Sequence, residues 1–284
     1  MIQMRDAHKQ FKTFLESKNK SRATIVAYNK DIDQVIEFIE KQGKSTVDQI
    51  TKEDLEGFLA QLAQEGYTVK SISRKINSTR TFYRFLKTHN LTEEDPSALL
   101  EHPRYELGQP RILTPMEYRA LRDATRNDAR MHAVIQTLLQ TGIRIGELAE
   151  LRLSDVTPEG LTIRPMEKHE ARLVPLNRAA RESMEKYMKI RPEVKDDHVF
   201  VTKSGKPFLI RNIRTAVERY FRIAEIKGAK VNDLRHTFIA HHIKHGVNPQ
   251  FLSKIVGHKR LTTTERYLEF VPDRAKETTH LSEL

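Results

Sequence analysis

The chain has 284 residues, enough for one large or two medium domains with a proper core. Its 49 Lys and Arg against 38 Asp and Glu leave a net charge of +11 and a pI near 9.7, which favours a polyanionic partner, nucleic acid ahead of a membrane surface. The absence of cysteine excludes disulfides, thiolate metal sites and a catalytic thiol, and with no apolar leader or membrane-length run a cytoplasmic protein is expected.

The charge is unevenly spread. Residues 1–107 carry 17 basic and 16 acidic side chains, whereas residues 108–284 carry 32 and 22. The first hundred residues read as helices. From Ile25, apolar residues recur at Tyr28, Ile32, Val35, Ile36 and Ile39, and Gly43 ends the run. Thr51 is a plausible N-cap for a helix carrying Leu55, Phe58, Leu59 and Leu62 on one stripe.

In "SISRKINSTRTFYRFLKTHN", Ile72, Ile76, Phe82, Tyr83 and Leu86 point inward. Lys70, Arg74, Lys75, Arg80, Arg84 and Lys87 are then left outside, with no acid between Glu65 and Glu93. A charged helix face is ordinarily just solvated. This one is single-signed and lacks the acids for i,i+4 pairs, so it is expected to contact phosphates.

"HPRYELGQPR", residues 102–111, has two prolines, a glycine and no periodicity, as a linker would. Thr114-Pro115-Met116-Glu117 then combines a cap, a proline at the first helical position and an acid at the third, so a second domain starts here. Helices run to about Thr141. Two β-rich arms, Leu161–Pro165 and Arg172–Leu176, flank a polar turn as a hairpin. A helix, a short strand at "HVFV", a Ser204-Gly205 turn and more helices follow. The class expected is mainly α with a small β-sheet.

Four separated segments carry the polar residues of interest: Arg144 with Glu147 one turn on, Lys168 in the hairpin turn, Arg235 in "VNDLRHTF", and His258 with Tyr267 in "VGHKRLTTTERY". Taken alone, this last stretch could be an ordinary surface helix. The set, however, fits metal-free cleavage of a phosphodiester. A Tyr oxygen can attack phosphorus once its proton, with a pKa of about 10, is removed. Two Arg forks suit the charge on the nonbridging oxygens, and a mobile Lys can protonate the leaving 5′-oxygen. A covalent phosphotyrosine conserves the bond energy, so neither a nucleotide cofactor nor a metal is called for.

"TGIRIGELAELRLSDV", "RLVPL", "LRHTF" and "VGHKRLTTTERY" resemble, in order, the signature boxes of the tyrosine recombinases, the phage integrase and Xer family. The resemblance implies a helical, SAM-like core-binding domain over 1–101, a linker over 102–111 and an α+β catalytic domain over 112–270, closing on DNA as a C-shaped clamp. It gives Arg144 and Arg235 as the catalytic arginines, Lys168 as the hairpin lysine, His258 as the later histidine and Tyr267 as the nucleophile. It also implies a homo-tetramer on two double-stranded sites with inverted repeats. Residues 271–284, anchored by Leu281 and Leu284, become a candidate subunit-docking tail. Replicon-dimer and transposon-cointegrate resolution are the expected roles.

Two positions depart from the pattern. Asn232 stands where the family usually has His, three residues before the second Arg, and is expected to donate a hydrogen bond to phosphate without exchanging protons. The interval from Lys168 to "VPL" is one residue shorter than in the Xer pattern. A type IB topoisomerase-like enzyme could use the same residues without partner exchange, and a catalytically silent DNA-binding protein could keep the fold. His241 and His245 have metal-compatible spacing but no nearby carboxylate or HExxH glutamate, so solvent- or DNA-facing roles are expected.

Overall fold

A computed structural model describes residues 2–18, 20–104, 108–165, 170–271 and 278–284. The chain divides into two compact units, residues 1–107 and 108–284. No helix among the described residues is long and apolar enough to cross a membrane.

The first unit is helical: α1 (Met4–Ser17), α2 (Arg22–Glu40), α3 (Lys52–Gln64) and α4 (Val69–Thr88), with 3₁₀ turns at Val47–Gln49 and Pro96–Leu99. Each helix buries one stripe, such as Met4, Ala7, Phe11 and Leu15 on α1, at helical spacing. Thr51 caps α3 by accepting from Asp54 N, while Asp54 accepts from Thr51 N at 2.7 Å. Phe11 meets Phe82 edge-on at 5.2 Å, tying α1 to α4.

The basic face of α4 is not wholly outside. Lys75 is 1% exposed and donates to Asp31 of α2 at 2.9 Å and to Gln34. Asp31, also buried, accepts from Ser78 at 3.0 Å and from Arg74. Arg80 is half-buried and donates to the Ser97 carbonyl at 3.2 Å and the Leu100 carbonyl at 2.5 Å. The expectation for Lys75 is therefore corrected: a buried ammonium with its counter-ion cannot contact phosphate. Tyr83 is likewise core, at 1% exposure. Lys70, Arg84 and Lys87 remain exposed, with no carboxylate partner among the described residues. Lys70, Arg74, Arg80 and Arg84 line one groove with Tyr28 and Asn77.

A stability contrast follows. Lys75→Ala leaves a buried carboxylate short of a donor and should cost about 1–3 kcal/mol. Arg74→Ala removes a side chain that is 44% exposed and should cost about 0.2–1 kcal/mol. Urea midpoints at constant m would check the order, and equal costs would contradict it.

The second unit contains α5 (Pro115–Ala124), α6 (Ala129–Thr141), α7 (Ile145–Ala149), β1 (Leu161–Ile163), β2 (Arg172–Val174), α8 (Arg178–Met188), α9 (Ile210–Ile223), α10 (Val231–Lys244), α11 (Pro249–Val256) and α12 (Thr262–Glu265), the last continuing into a 3₁₀ turn at Arg266–Phe270. Thr114 caps α5 with Pro115 at its first position. The hairpin is antiparallel, with Thr162 opposite Leu173. α6 is buried from Ala133 to Thr141 on every face and packs against α8 and α10. It is the central helix.

"HVFV" is not a strand. Val199 N donates to the Leu151 carbonyl at 2.7 Å and Phe208 N to the Phe200 carbonyl at 3.0 Å, so the segment bridges separate loops residue by residue. Val199, Phe200 and Val201 are buried, which accounts for the apolar signal without a ladder.

The described tail, 278–284, packs on this same unit. Thr278 pairs with Val247 and exchanges bonds with Gly246 and Asn248 at 2.7 and 2.8 Å. Leu284 is buried, and Gln140 of α6 holds its backbone N and O at 3.0 Å each. His241 is half-buried against Ser282, at 2.9 Å, rather than open to solvent or DNA.

Candidate active site

Gly142 ends α6 in the left-handed conformation (φ 62°), where a Cβ would lie 2.4 Å from the Phe238 ring. The sharp exit puts Arg144 at the start of α7. Glu147, at the third position, accepts from Arg144 N at 2.8 Å and from Arg144 Nη1 at 3.0 Å. Arg172 of β2 grips the same carboxylate in bidentate fashion, at 2.9 and 2.7 Å, while its Nε donates to the Ile255 carbonyl at 2.8 Å. Burial alone would raise the Glu147 carboxyl. The hydrogen bonds from Arg172 and Arg144 N outweigh it and hold the group below its ordinary range.

Arg144 Nη2 continues to the Gly257 carbonyl at 2.7 Å. Arg235, from α10, donates to the Gly142 carbonyl at 2.5 Å and the Val256 carbonyl at 2.7 Å. The two guanidiniums thus meet at the C-terminal end of α11, where Gly257 (φ 67°) turns the chain beside Arg172. Carbonyls at a helix C-terminus suit cations. Burial, then the neighbouring Arg144 charge, lowers Arg235 to about 9, which still leaves it cationic at neutral pH.

His258 follows directly, its Nδ1 hydrogen-bonded to Thr264 Oγ1 at 2.7 Å. Burial and the charges of Arg235 and Arg144 push it down to about 3. A neutral His258 can donate or accept one hydrogen bond at neutral pH.

Tyr267 lies in the 3₁₀ turn after α12, 6% exposed. Burial pushes its phenol up to about 12 against the opposing pull of Arg235. Its Oη shares a short hydrogen bond with His236 Nδ1, and His236 Nε2 lies 2.9 Å from Asn232 Nδ2.

The structure therefore brings Arg144, Arg235, His258 and Tyr267 to one locus. Lys168 lies outside the described residues. Asn232 is engaged by His236. Two site residues, His236 and Arg172, were not singled out from sequence. The signal for His236 was present, since Asn232 and His236 are i,i+4 neighbours on one helix face. Arg172 opens the "RLVPL" box, but nothing local marked its partner Glu147, 25 residues away.

Two family models match the chain: "Phage integrase family" over residues 111–272, and "Phage integrase, N-terminal SAM-like domain" over residues 9–90. The chain is 29% identical to a tyrosine recombinase XerC of Anoxybacillus flavithermus, covering 91% of each chain. It is 30% identical to a tyrosine recombinase XerD of Proteus mirabilis, covering 90% of this chain and 85% of the relative. Its fold is shared with a lambda integrase tetramer bound to a Holliday junction, at a TM-score of 0.75 and 16% identity, over 92% of this chain and 79% of that one. Helical SAM-like and α+β catalytic domains are thereby assigned to the two units. The chain belongs to the phage integrase family and is a tyrosine recombinase.

Proposed function

We propose that this enzyme recombines double-stranded DNA at sites with inverted repeats, through a 3′-phosphotyrosyl intermediate on Tyr267. The observation that carries this reading is the convergence of Arg144 and Arg235 on the Val256–Gly257 carbonyls, in the unit that buries Tyr267. A scissile phosphate can exchange with those carbonyls as acceptor for both forks. The arginines then stabilise the charge that grows on the nonbridging oxygens as Tyr267 attacks. His258, held by Thr264 and neutral, supplies a further hydrogen bond, and Lys168 protonates the leaving 5′-oxygen. Rejoining reverses these steps on a partner strand, with no nucleotide cofactor or metal.

Lys70, Arg74, Arg80 and Arg84 form the proposed phosphate-contacting groove of the first unit. Arg74 and Arg80 serve it only beyond their internal bonds to Asp31 and the Ser97 and Leu100 carbonyls. A homo-tetramer on two sites is proposed, in keeping with the lambda integrase neighbour's tetramer on a Holliday junction. Resolution of replicon dimers or transposon cointegrates is the proposed task.

A nicked suicide duplex should trap the protein covalently, and supplying a second duplex should release it by joining. Capture without joining would point to a relaxing enzyme. No capture would leave a DNA-binding protein only.

A further inference from the structure

Among the described residues, His236 is the only hydrogen-bond partner of the Tyr267 hydroxyl, and Asn232 is the only partner of the far nitrogen of that imidazole. The three groups run inward from an exposed amide, through a half-buried imidazole, to a buried phenol. The imidazole and phenol rings are 5.9 Å apart and 34° from parallel, with the phenol hydroxyl in hydrogen-bond contact with Nδ1. We infer that His236 is the general base that takes the Tyr267 proton, and that Asn232 orients it by setting its tautomer. This assignment rests on the proposed cleavage by Tyr267.

The chemistry follows from the protonation states. The phenol is protonated at neutral pH, and burial holds the imidazole below its ordinary value, hence neutral and able to accept. With the phenol O–H donating to Nδ1, the single imidazole proton sits on Nε2. The Asn232 amide, turned over to present Oδ1, accepts that proton's hydrogen bond at unchanged shape. As the Oη–P bond forms and the P–O5′ bond breaks, the phenol proton moves to Nδ1. The imidazolium so formed is held by Asn232 Oδ1, and Asp233 on the same helix offsets its charge against that of Arg235. On rejoining, the 5′-hydroxyl attacks phosphorus and Tyr267 recovers its proton from His236.

This places the Asn232 amide on the imidazole, not on phosphate. An amide in this position works through His236, so proton exchange at residue 232 itself is not required.

The test uses the full chain and a nicked suicide duplex. His236→Ala and His236→Gln should bind the duplex as wild type does, yet form the covalent complex about 10²–10⁴-fold more slowly. Gln keeps an acceptor for the phenol and restores packing, but it cannot take a proton. Trifluorotyrosine at position 267, acidic enough to ionise unaided, should recover most of the lost rate in both variants while leaving wild type little changed. Asn232→Ala should fall between wild type and His236→Ala, with the same rescue. Wild-type capture rates in both His236 variants would overturn the assignment. So would slow variants that the acidic phenol fails to rescue, because His236 would then only support the fold. Failure of wild type itself to capture DNA would refute the cleavage reading instead.

Discussion

Tyr267→Phe should bind its DNA as wild type does and form no covalent complex. The ring stays, so the buried packing of a residue 6% exposed is kept, and only the hydroxyl with its bond to His236 is lost. Loss of that neutral hydrogen bond should cost about 0.5–1.5 kcal/mol of stability, too little to unfold the unit. Loss of the nucleophile has no such limit. Deleting an attacking oxygen elsewhere lowers turnover by roughly 10⁶-fold, and covalent capture should fall beneath detection. Denaturing gels of a labelled suicide duplex would read this directly, with filter binding or gel shift as the control. A labelled adduct surviving in the variant would show that another residue attacks phosphorus. The unit would then need a different nucleophile around the same arginines.

Glu147→Ala should damage both stability and cleavage. The carboxylate is 5% exposed and neutralises two cations: Arg172, whose side chain is 10% exposed, and Arg144. Removing it leaves Arg172 buried without a counter-ion, at a cost of about 3–5 kcal/mol. Arg144 would lose its lateral support, and a misplacement of about 1 Å can lower a rate by roughly 10²-fold. Glu147→Gln keeps the shape and some hydrogen bonds, so it should fall between. The pH dependence has a defined sign. The folded-state carboxyl of Glu147 lies below its unfolded value of about 4.3, so its stabilisation is complete above that pH. It is lost as pH falls through the depressed folded value. Glu147→Gln should therefore unfold with a shallower acid dependence than wild type. Matching acid-unfolding curves would show that the ion pairs to Glu147 add nothing to the fold.

Much of the architecture was legible along the chain because its signals are local. Thr51 and Thr114 cap their helices through residues three positions on, and the apolar stripes read at a period of 3.6 fall on the buried faces of α2 to α4. The polar residues Arg144, Arg235, His258 and Tyr267 were recognisable because they sit in three short motifs, His258 and Tyr267 sharing one. That the chain brings them to one place follows from the bonds of Arg144 and Arg235 to the carbonyls at the end of α11, and from α10 packing on both α11 and the 3₁₀ turn that carries Tyr267.

Pairing across the fold was decided elsewhere. Lys75 belongs by sequence to a basic face, and only the docking of α2 beneath α4 sets Asp31, 44 residues earlier, against it. The desolvated ammonium then needs that carboxylate, and Lys75 is lost to DNA. Arg80 turns inward because the Ser97 and Leu100 carbonyls lie beside it. "HVFV" has the composition of a strand, yet strand formation requires a neighbour running alongside, and loops took that place. Asn232 offers the same hydrogen bonds to a phosphate or to an imidazole. Its choice of His236 follows from one helical turn on α10 and from where the 3₁₀ turn delivers the Tyr267 hydroxyl. Local capping, periodicity and backbone sterics act over a few residues, so sequence by itself determined the elements and their ends. Burial and charge compensation join residues tens of positions apart, so the partners of Lys75, Glu147 and Tyr267 were decided only by the tertiary structure.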